Sequence, residues 1–472
     1  MYKDKRSAGS FYYIFKRRMR PTLFALFLLG GLLATRLSHS GIVWVEEAYP
    51  TAAAIQMLDG KSLYQDIWFD KPPLFPALYL LWGAHIGAPL RVAGALFVFG
   101  CCVLLYALAT RLWTPREGLI GGMLLGFFLT FGIPSAVMAL APDLLLVAPH
   151  IAAVYLAIRG RAFMAGLVAG TGLLVNPKGV FVLAVCLLWT WRAWPWTLAG
   201  FILPNAIAFA WFGSPYYEEV WKWGAAYSES AFSLGTGFLR TADWLGFQCA
   251  IVAGAVWFLY RERSWRMLAW LIVALVGVAA GWRFFPRYYF LLLVPVTLMA
   301  ARGYVLLGRW RLAMPLLLII PLVRFGPRYA TLANDIVHGR PHRWSDLRMA
   351  EDSVAAARLM KDPTGTLLVW GYRPDVFAYS RLRAGTKFLD SQPLTGVLAD
   401  RHLTNSTAAL PELAAKNRRE LTGASPTYIV DGLGPLNPAL AITRYADLRD
   451  WLAGYREIGR TELSIIYERK TE

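Results

Sequence analysis

Cysteine is scarce in this sequence: four residues in 472, with Cys101, Cys102, Cys186 and Cys249 all inside apolar runs. No long polar segment carries one and no pair has metal-ligand spacing. That argues against a disulfide scaffold or a zinc module and leaves small apolar packing residues. Histidine is almost as thin, and His39, His85, His150, His338, His342 and His402 show neither metal nor triad spacing. A glycine-rich nucleotide loop, an internal repeat and a low-complexity tract are all missing. Charge is sparse too, at 17% of residues, and acids are outnumbered, 30 against 48 Lys+Arg, for a net charge of +18.

What the sequence has in excess is apolar surface. It is 57% hydrophobic and 14% aromatic, with a mean hydropathy of +0.43. The apolar residues come in runs of membrane-spanning length, such as "PTLFALFLLGGLLATRL", "GLIGGMLLGFFLTFGIP" and "MLAWLIVALVGVAAGW". A β-barrel would alternate apolar and polar positions instead. The expected fold class is a polytopic α-helical membrane protein. About eleven spans are expected, near 21–37, 90–110, 118–133, 142–158, 162–176, 178–191, 196–212, 243–260, 266–281, 287–304 and 311–323. "PLFPALYLLWGAHI" reads as an interfacial helix rather than a twelfth.

The basic residues flank these runs, so the positive charge reads as topology and anionic headgroups rather than nucleic acid. Lys16, Arg17, Arg18 and Arg20 precede the first run, which makes 1–20 a basic cytoplasmic N-terminus and the first span an uncleaved signal-anchor. An odd span count then puts the C-terminus outside. The expected domains are 1–20, a transmembrane part 21–324 with an outside loop 38–89, and an extracytoplasmic α/β domain 325–472. In that last part "DSVAAARLM" and "ALPELAAKNRREL" read as amphipathic helices, "TLLVWG", "TYIVDG" and "LSIIYER" as strands, and "PHRW", "GYRPD" and "LGPLNP" as turns. The expected location is a bacterial plasma (inner) membrane.

The outside loop holds most of the chemistry. In "VWVEEAYPTAAAIQMLDGKSLYQDIWFDKPPLFPALY" a short surface helix is expected over 50–58, with Pro50 in its first turn, Gly60 past its end, and Glu46 and Glu47 ahead of its N-terminus. The chain returns to Lys71, whose two following prolines fix a rigid extended turn. Such a path gathers Glu46, Glu47, Asp66, Asp70 and Lys71 at one pocket, with Trp44, Tyr49, Tyr64, Trp68 and Phe69 as stacking or interfacial surfaces. A cation there suits a lipid phosphate leaving group, and a carboxylate suits the proton of an attacking hydroxyl. Taken singly, each acid reads more readily as a solvated loop residue and Lys71 as a snorkelling cation; only the cluster favours chemistry.

The pattern of an acidic pair, a small-residue helix, Gly-x-x-Tyr-x-Asp and Lys-Pro-Pro-Leu resembles the first outside loop of the GT-C glycosyltransferases that use polyprenyl-phosphate sugars. These include the protein O-mannosyltransferases, the lipid A aminoarabinose transferase and the bacterial family-39 and Rgt-like enzymes. The likeness extends more loosely through "APD" at 141–143, "NPKG" at 176–179 and "RFFPRYYFLLLVP" at 283–295. The resemblance implies an inverting transfer of a monosaccharide from a polyprenyl-phosphate donor to an extracytoplasmic hydroxyl on a glycolipid, polysaccharide or protein. It places the catalytic carboxylate on Glu46, with Glu47 as second acid, and the donor-phosphate contact on Lys71. This chain has Glu-Glu where the relatives usually have Asp-Glu, which leaves the base open between the two.

Arg283 and Arg287 are candidates for a second phosphate clamp, and headgroup anchoring reads equally well. Asp66, Asp70, Asp143, Lys178, Tyr64 and Tyr288 are the candidate substrate-binding residues. Glu218, Glu219, Lys222 and Glu229, in "YYEEVWKWGAAYSES", are weaker candidates for acceptor contact. No cofactor is required, and a divalent metal beside the acids stays open. Two rivals remain: a transporter or flippase of lipid-linked sugar, which would place its ionisable groups at mid-membrane, and an inactive glycan-binding relative.

Overall fold

The computed structural model describes residues 6–225, 234–308, 313–339 and 344–470. Glu229, His342, the first three residues of "PHRW" and the end of the basic cluster at 309–312 lie outside that set. The apolar runs fold as helices, because a backbone surrounded by lipid must satisfy its own hydrogen bonds. Among the described residues, three helical runs are long and apolar enough to cross a bilayer unaided: Ala88–Leu112, Gly179–Ala225 and Pro286–Leu306. Thr22–Leu37, Pro142–Ile158, Ala162–Leu173 and Trp265–Ala279 are apolar but shorter. Leu81, Phe27 and Trp211 are 80%, 80% and 79% exposed, as befits side chains that face lipid rather than water. The helical part is that of a multi-pass membrane protein.

Several helices differ in detail from the sequence reading. The run expected as one span at 243–260 is a pair, Gly235–Phe247 and Cys249–Glu262, meeting at 88°. The runs at 178–191 and 196–212 are joined through a tight helical turn, Trp191–Ala193, and the second continues to Gly213, where φ of 65° breaks the helix. Glycine tolerates that left-handed backbone, and Pro215 follows it. The segment expected as an interfacial helix is short and broken, Leu74–Tyr79 then Leu80–Trp82, and stops at Gly83 with φ 64°.

The helix Phe290–Leu306 is buried over most of its surface and forms the middle of the bundle. It crosses Cys249–Glu262 closely because Gly303 faces the backbone of Gly254, the small-residue contact that lets membrane helices approach. Gly166 and Gly200 do the same for Ala162–Leu173 against Trp194–Tyr216.

After the helices Ile319–His338 and Ser345–Leu359, the chain forms a five-stranded sheet. Its strands are β1 Thr366–Trp370, β2 Arg383–Ala384, β3 Tyr428–Asp431, β4 Tyr455–Arg460 and β5 Ile465–Arg469, in the order β2-β1-β3-β5-β4. The first three are parallel, while β5 and β4 run antiparallel. β1, β3 and β5 are the apolar runs read as strands. β2 is two residues long, and β4, "YREIGR", is mostly polar because it is an edge.

The sheet unit is fastened to the first loop. The Trp68 amide donates to the Lys387 carbonyl at 2.8 Å, and Gln56 accepts from the Ala384 amide at 2.7 Å while donating to the Leu382 carbonyl at 3.3 Å. The Trp68 and Trp223 rings, 5.2 Å apart, pack with Leu368 and Trp370 in the core of the sheet unit.

Candidate active site

The first-loop helix is longer than expected, Val45–Leu58, so both acids lie in its first turn, where they complement the positive end of the helix dipole. Pro50 consequently falls inside the helix and leaves the Glu46 carbonyl without its i+4 donor. Adjacent residues on a helix point about 100° apart, and the two acids meet opposite fates.

Glu47 is fully buried. Arg91 grips it with a two-pronged contact, Nη1 to Oε1 at 2.8 Å and Nη2 to Oε2 at 2.7 Å, and the Leu140 amide donates to Oε1 at 3.0 Å. Arg91 also donates to the carbonyls of His39 and Ile42. Arg36 beside it donates to the carbonyls of Met138 and Val137. Both Glu47 oxygens are therefore engaged, away from water.

Glu46 faces a partly open space with about a quarter of its side chain exposed. Its Oε1 accepts from Arg287 Nη1 at 2.5 Å. Arg287 Nε lies 3.5 Å from Asp143 Oδ2, and Lys178 Nζ donates to Asp143 Oδ1 at 3.1 Å. Lys178 also stands over the Tyr288 ring, a cation–π contact. Glu46, Arg287, Asp143, Lys178 and Tyr288 thus form one chain of alternating charge.

Lys71 and Asp70 form a second group, with Nζ to Oδ2 at 2.7 Å, Lys71 the more open partner and Asp70 nearly buried. Tyr64, held at φ 67°, donates its hydroxyl to the Lys71 carbonyl at 2.7 Å. The Phe69 amide donates to Glu219 Oε2 at 2.8 Å, so Glu219 shapes the turn before Lys71. Tyr49 of the first-loop helix packs on this second group. It lies three residues after Glu46 on the same helical face, it accepts from the Asp70 amide at 3.4 Å, and its ring stacks on Phe69 with centroids 4.5 Å apart.

The sheet unit closes over this region. Tyr372 lies 6.1 Å from the Tyr49 ring, centroid to centroid. Asp400 accepts from Arg283, which is buried. Asp390 is buried, with Oδ1 accepting from the Gln392 amide at 2.7 Å and Oδ2 lacking a hydrogen-bond donor. Burial pushes its carboxyl up to about 8; the Asp70 carboxylate pushes the same way, while the Gln392 amide and Lys71 oppose.

The sequence-read residues therefore divide. Glu46, Asp143, Lys178, Arg287 and Tyr288 come together; Lys71, Asp70 and Tyr64 form the neighbouring group; Glu47 is locked and Arg283 is turned to Asp400. Asp66 joins neither: a bridge between Leu63 and Ile67 turns it outward, where it accepts from the Ser62 amide. Arg91, Tyr372, Asp390 and Asp400 were missed. Only Arg91 carried a signal, a lone cation inside an apolar run. Among the described residues no three His, Cys, Asp or Glu side chains are grouped as metal ligands.

An apolar cavity of about 680 Å³ is lined by Leu78, Leu81, Trp82, Val92, Leu96 and Leu140 among others. Leu140, whose amide donates to Glu47, is part of its wall, and Leu140 and Leu145 flank Asp143 in sequence.

No family model matches the chain, and no curated protein matches it. Solved structures do. ArnT from Cupriavidus metallidurans in the apo state aligns over 98% of this chain and 98% of its own, with a TM-score of 0.59 and 14% identity. The same protein bound to undecaprenyl phosphate aligns over 94% of this chain and 97% of its own, with a TM-score of 0.57 and 14% identity. The chain has the GT-C fold.

Proposed function

We propose that this chain is an integral-membrane glycosyltransferase that moves a monosaccharide from a polyprenyl-phosphate donor to an extracytoplasmic hydroxyl on a glycolipid, polysaccharide or protein. In this reading about eleven spans cross a bacterial plasma membrane, residues 1–20 face the cytoplasm, and residues 325–472 form an outer domain over the site. The observation that carries it is the split of the acidic pair: Glu47 is dry and held by Arg91, while Glu46 is partly open and paired with Arg287. The shared fold with a protein that binds undecaprenyl phosphate supports the donor class.

The polyprenyl chain lies in the groove and its phosphate reaches Lys71 and Arg287. Arg287, shared by Glu46 and Asp143, exchanges its contact with Glu46 for a phosphate oxygen, a bidentate geometry to which guanidinium is suited. The freed Glu46 carboxylate takes the proton of the acceptor hydroxyl as that oxygen attacks the anomeric carbon. The bond from that carbon to the phosphate oxygen breaks with its electron pair on the phosphate, where Lys71 meets the charge. Attack opposite to the leaving group inverts the anomeric centre. Asp143 holds Lys178 and Arg287 in place, and Tyr64 fixes the Lys71 turn.

The test uses full-length protein in lipid vesicles with labelled polyprenyl-phosphate sugars and crude envelope extract as acceptor. Acceptor-dependent release of free lipid phosphate is expected for at least one donor. Movement of labelled lipid between leaflets without release would make the protein a flippase, and binding without either would make it a glycan-binding relative.

A further inference from the structure

We infer that Glu47 is a positioning residue that sets the width of the apolar groove relative to Glu46. This rests on the groove's being the polyprenyl site, as proposed above. Two sides of the groove reach partners of Glu47. One is the helix Ala88–Leu112, which presents Pro89, Val92 and Leu96 to the cavity. The other is the segment at Leu140. Arg91 belongs to the first side and the Leu140 amide to the second, and Glu47 is bonded to both, at 2.7 and 2.8 Å and at 3.0 Å respectively.

A third tie completes the arrangement. The Leu140 carbonyl accepts from the Tyr79 hydroxyl at 3.0 Å, and Tyr79 ends the short helix whose Leu78 also lines the cavity. Arg91 Nη1 reaches the Met138 carbonyl as well, at 3.3 Å. The helix Ala88–Leu112 and the segment at Leu140 are thus both tied to one carboxylate, which is next to Glu46 in the chain. A buried carboxylate with a bidentate arginine and a backbone donor has the fixed geometry this role needs. The arrangement couples two parts of the reaction: where the lipid lies and where the base stands.

The role separates from catalysis by its dependence on the lipid. A long polyprenyl chain fills the groove and depends on its width, whereas a short chain of two or three isoprene units leaves most of the groove unfilled. With full-length protein in vesicles, Glu47→Gln is expected to raise KM for a long-chain polyprenyl-phosphate sugar about tenfold, the size of one charged hydrogen bond lost. KM for the short-chain donor is expected to change less than about twofold on the same scale. The acid limb of the pH–rate profile should stay in place for both. Tyr79→Phe removes only the tie to Leu140 and is expected to shift KM in the same direction by less; it serves if Glu47→Gln folds poorly.

Loss of kcat for both donors, with movement of the acid limb, would make Glu47 the base and overturn the inference. A lowered melting temperature with KM unchanged for both chain lengths would reduce Glu47 to a purely structural role. Binding of bare long-chain polyprenyl phosphate is measured in parallel. Absence of binding to the wild type fails the lipid reading itself, while binding that does not distinguish wild type from Glu47→Gln fails the positioning role alone.

Discussion

Asp390→Asn should flatten the pH dependence of stability. The side chain is buried beside Asp70 and Lys71, with one carboxyl oxygen lacking a donor, and burial lifts its pKa from the ordinary 3.8 to about 8. Between those values the folded protein holds a proton that the unfolded chain has released. Stability therefore falls as pH rises through that window, and the slope vanishes below pH 4. The two values are roughly four pH units apart, at about 1.4 kcal/mol each, so the ceiling is roughly 6 kcal/mol. From pH 6 to 8 the wild type should lose about 2 kcal/mol relative to the variant, tapering near pH 8. Asparagine keeps the oxygen that accepts from Gln392 and cannot ionise, so its curve lacks this component. Other titrating groups, including Asp431, whose carboxyl burial also raises, cancel in the difference. The assay is thermal unfolding of purified protein in detergent, followed by fluorescence at pH 5, 6, 7 and 8. Parallel curves for the two proteins would refute the reasoning, since Asp390 would then be ionised in the folded state.

Two further outcomes concern stability. Arg91→Ala removes the partner of a dry carboxylate and should cost about 3–5 kcal/mol, the range for breaking a buried ion pair; a loss below about 1 kcal/mol in detergent unfolding would mean that water reaches Glu47. Gly303→Ala sets a methyl against the Gly254 carbonyl at a helix crossing and should cost about 1–3 kcal/mol by overpacking. An unchanged melting temperature would show that the two helices stand further apart than described.

Much of the helical half was legible because membrane burial writes itself as uninterrupted apolar sequence. Its bends were less so: the 88° break between Phe247 and Cys249 falls at Gln248 inside a run that hydropathy alone reads as continuous. In the sheet unit, β1, β3 and β5 were legible as buried apolar strands. β2 and β4 were not, since one is two residues long and the other is a polar edge.

The site was half legible. The first loop announces its acids and Lys71 by local pattern, but their division of labour depends on partners far along the chain. Arg287 is 241 residues from Glu46, and Arg91 is 44 from Glu47. Two neighbouring glutamates look alike in sequence; the helix turns one to a buried arginine and the other to the open side. Asp390 and Tyr372 reach the region only because the sheet unit docks on the first loop, a contact that no local pattern encodes. Asp66 shows the reverse: its place in the motif was plain, yet the Leu63–Ile67 bridge turns it outward.

The central claim is that Glu46 is the base and Lys71 meets the leaving phosphate. Single-turnover release of lipid phosphate, from a donor that the wild type accepts, tests it most directly. Glu46→Gln should slow release by about 10²–10⁴ with donor binding intact, and Lys71→Ala should weaken binding of the bare lipid phosphate as well as release. Release by Glu46→Gln at the wild-type rate would contradict the account.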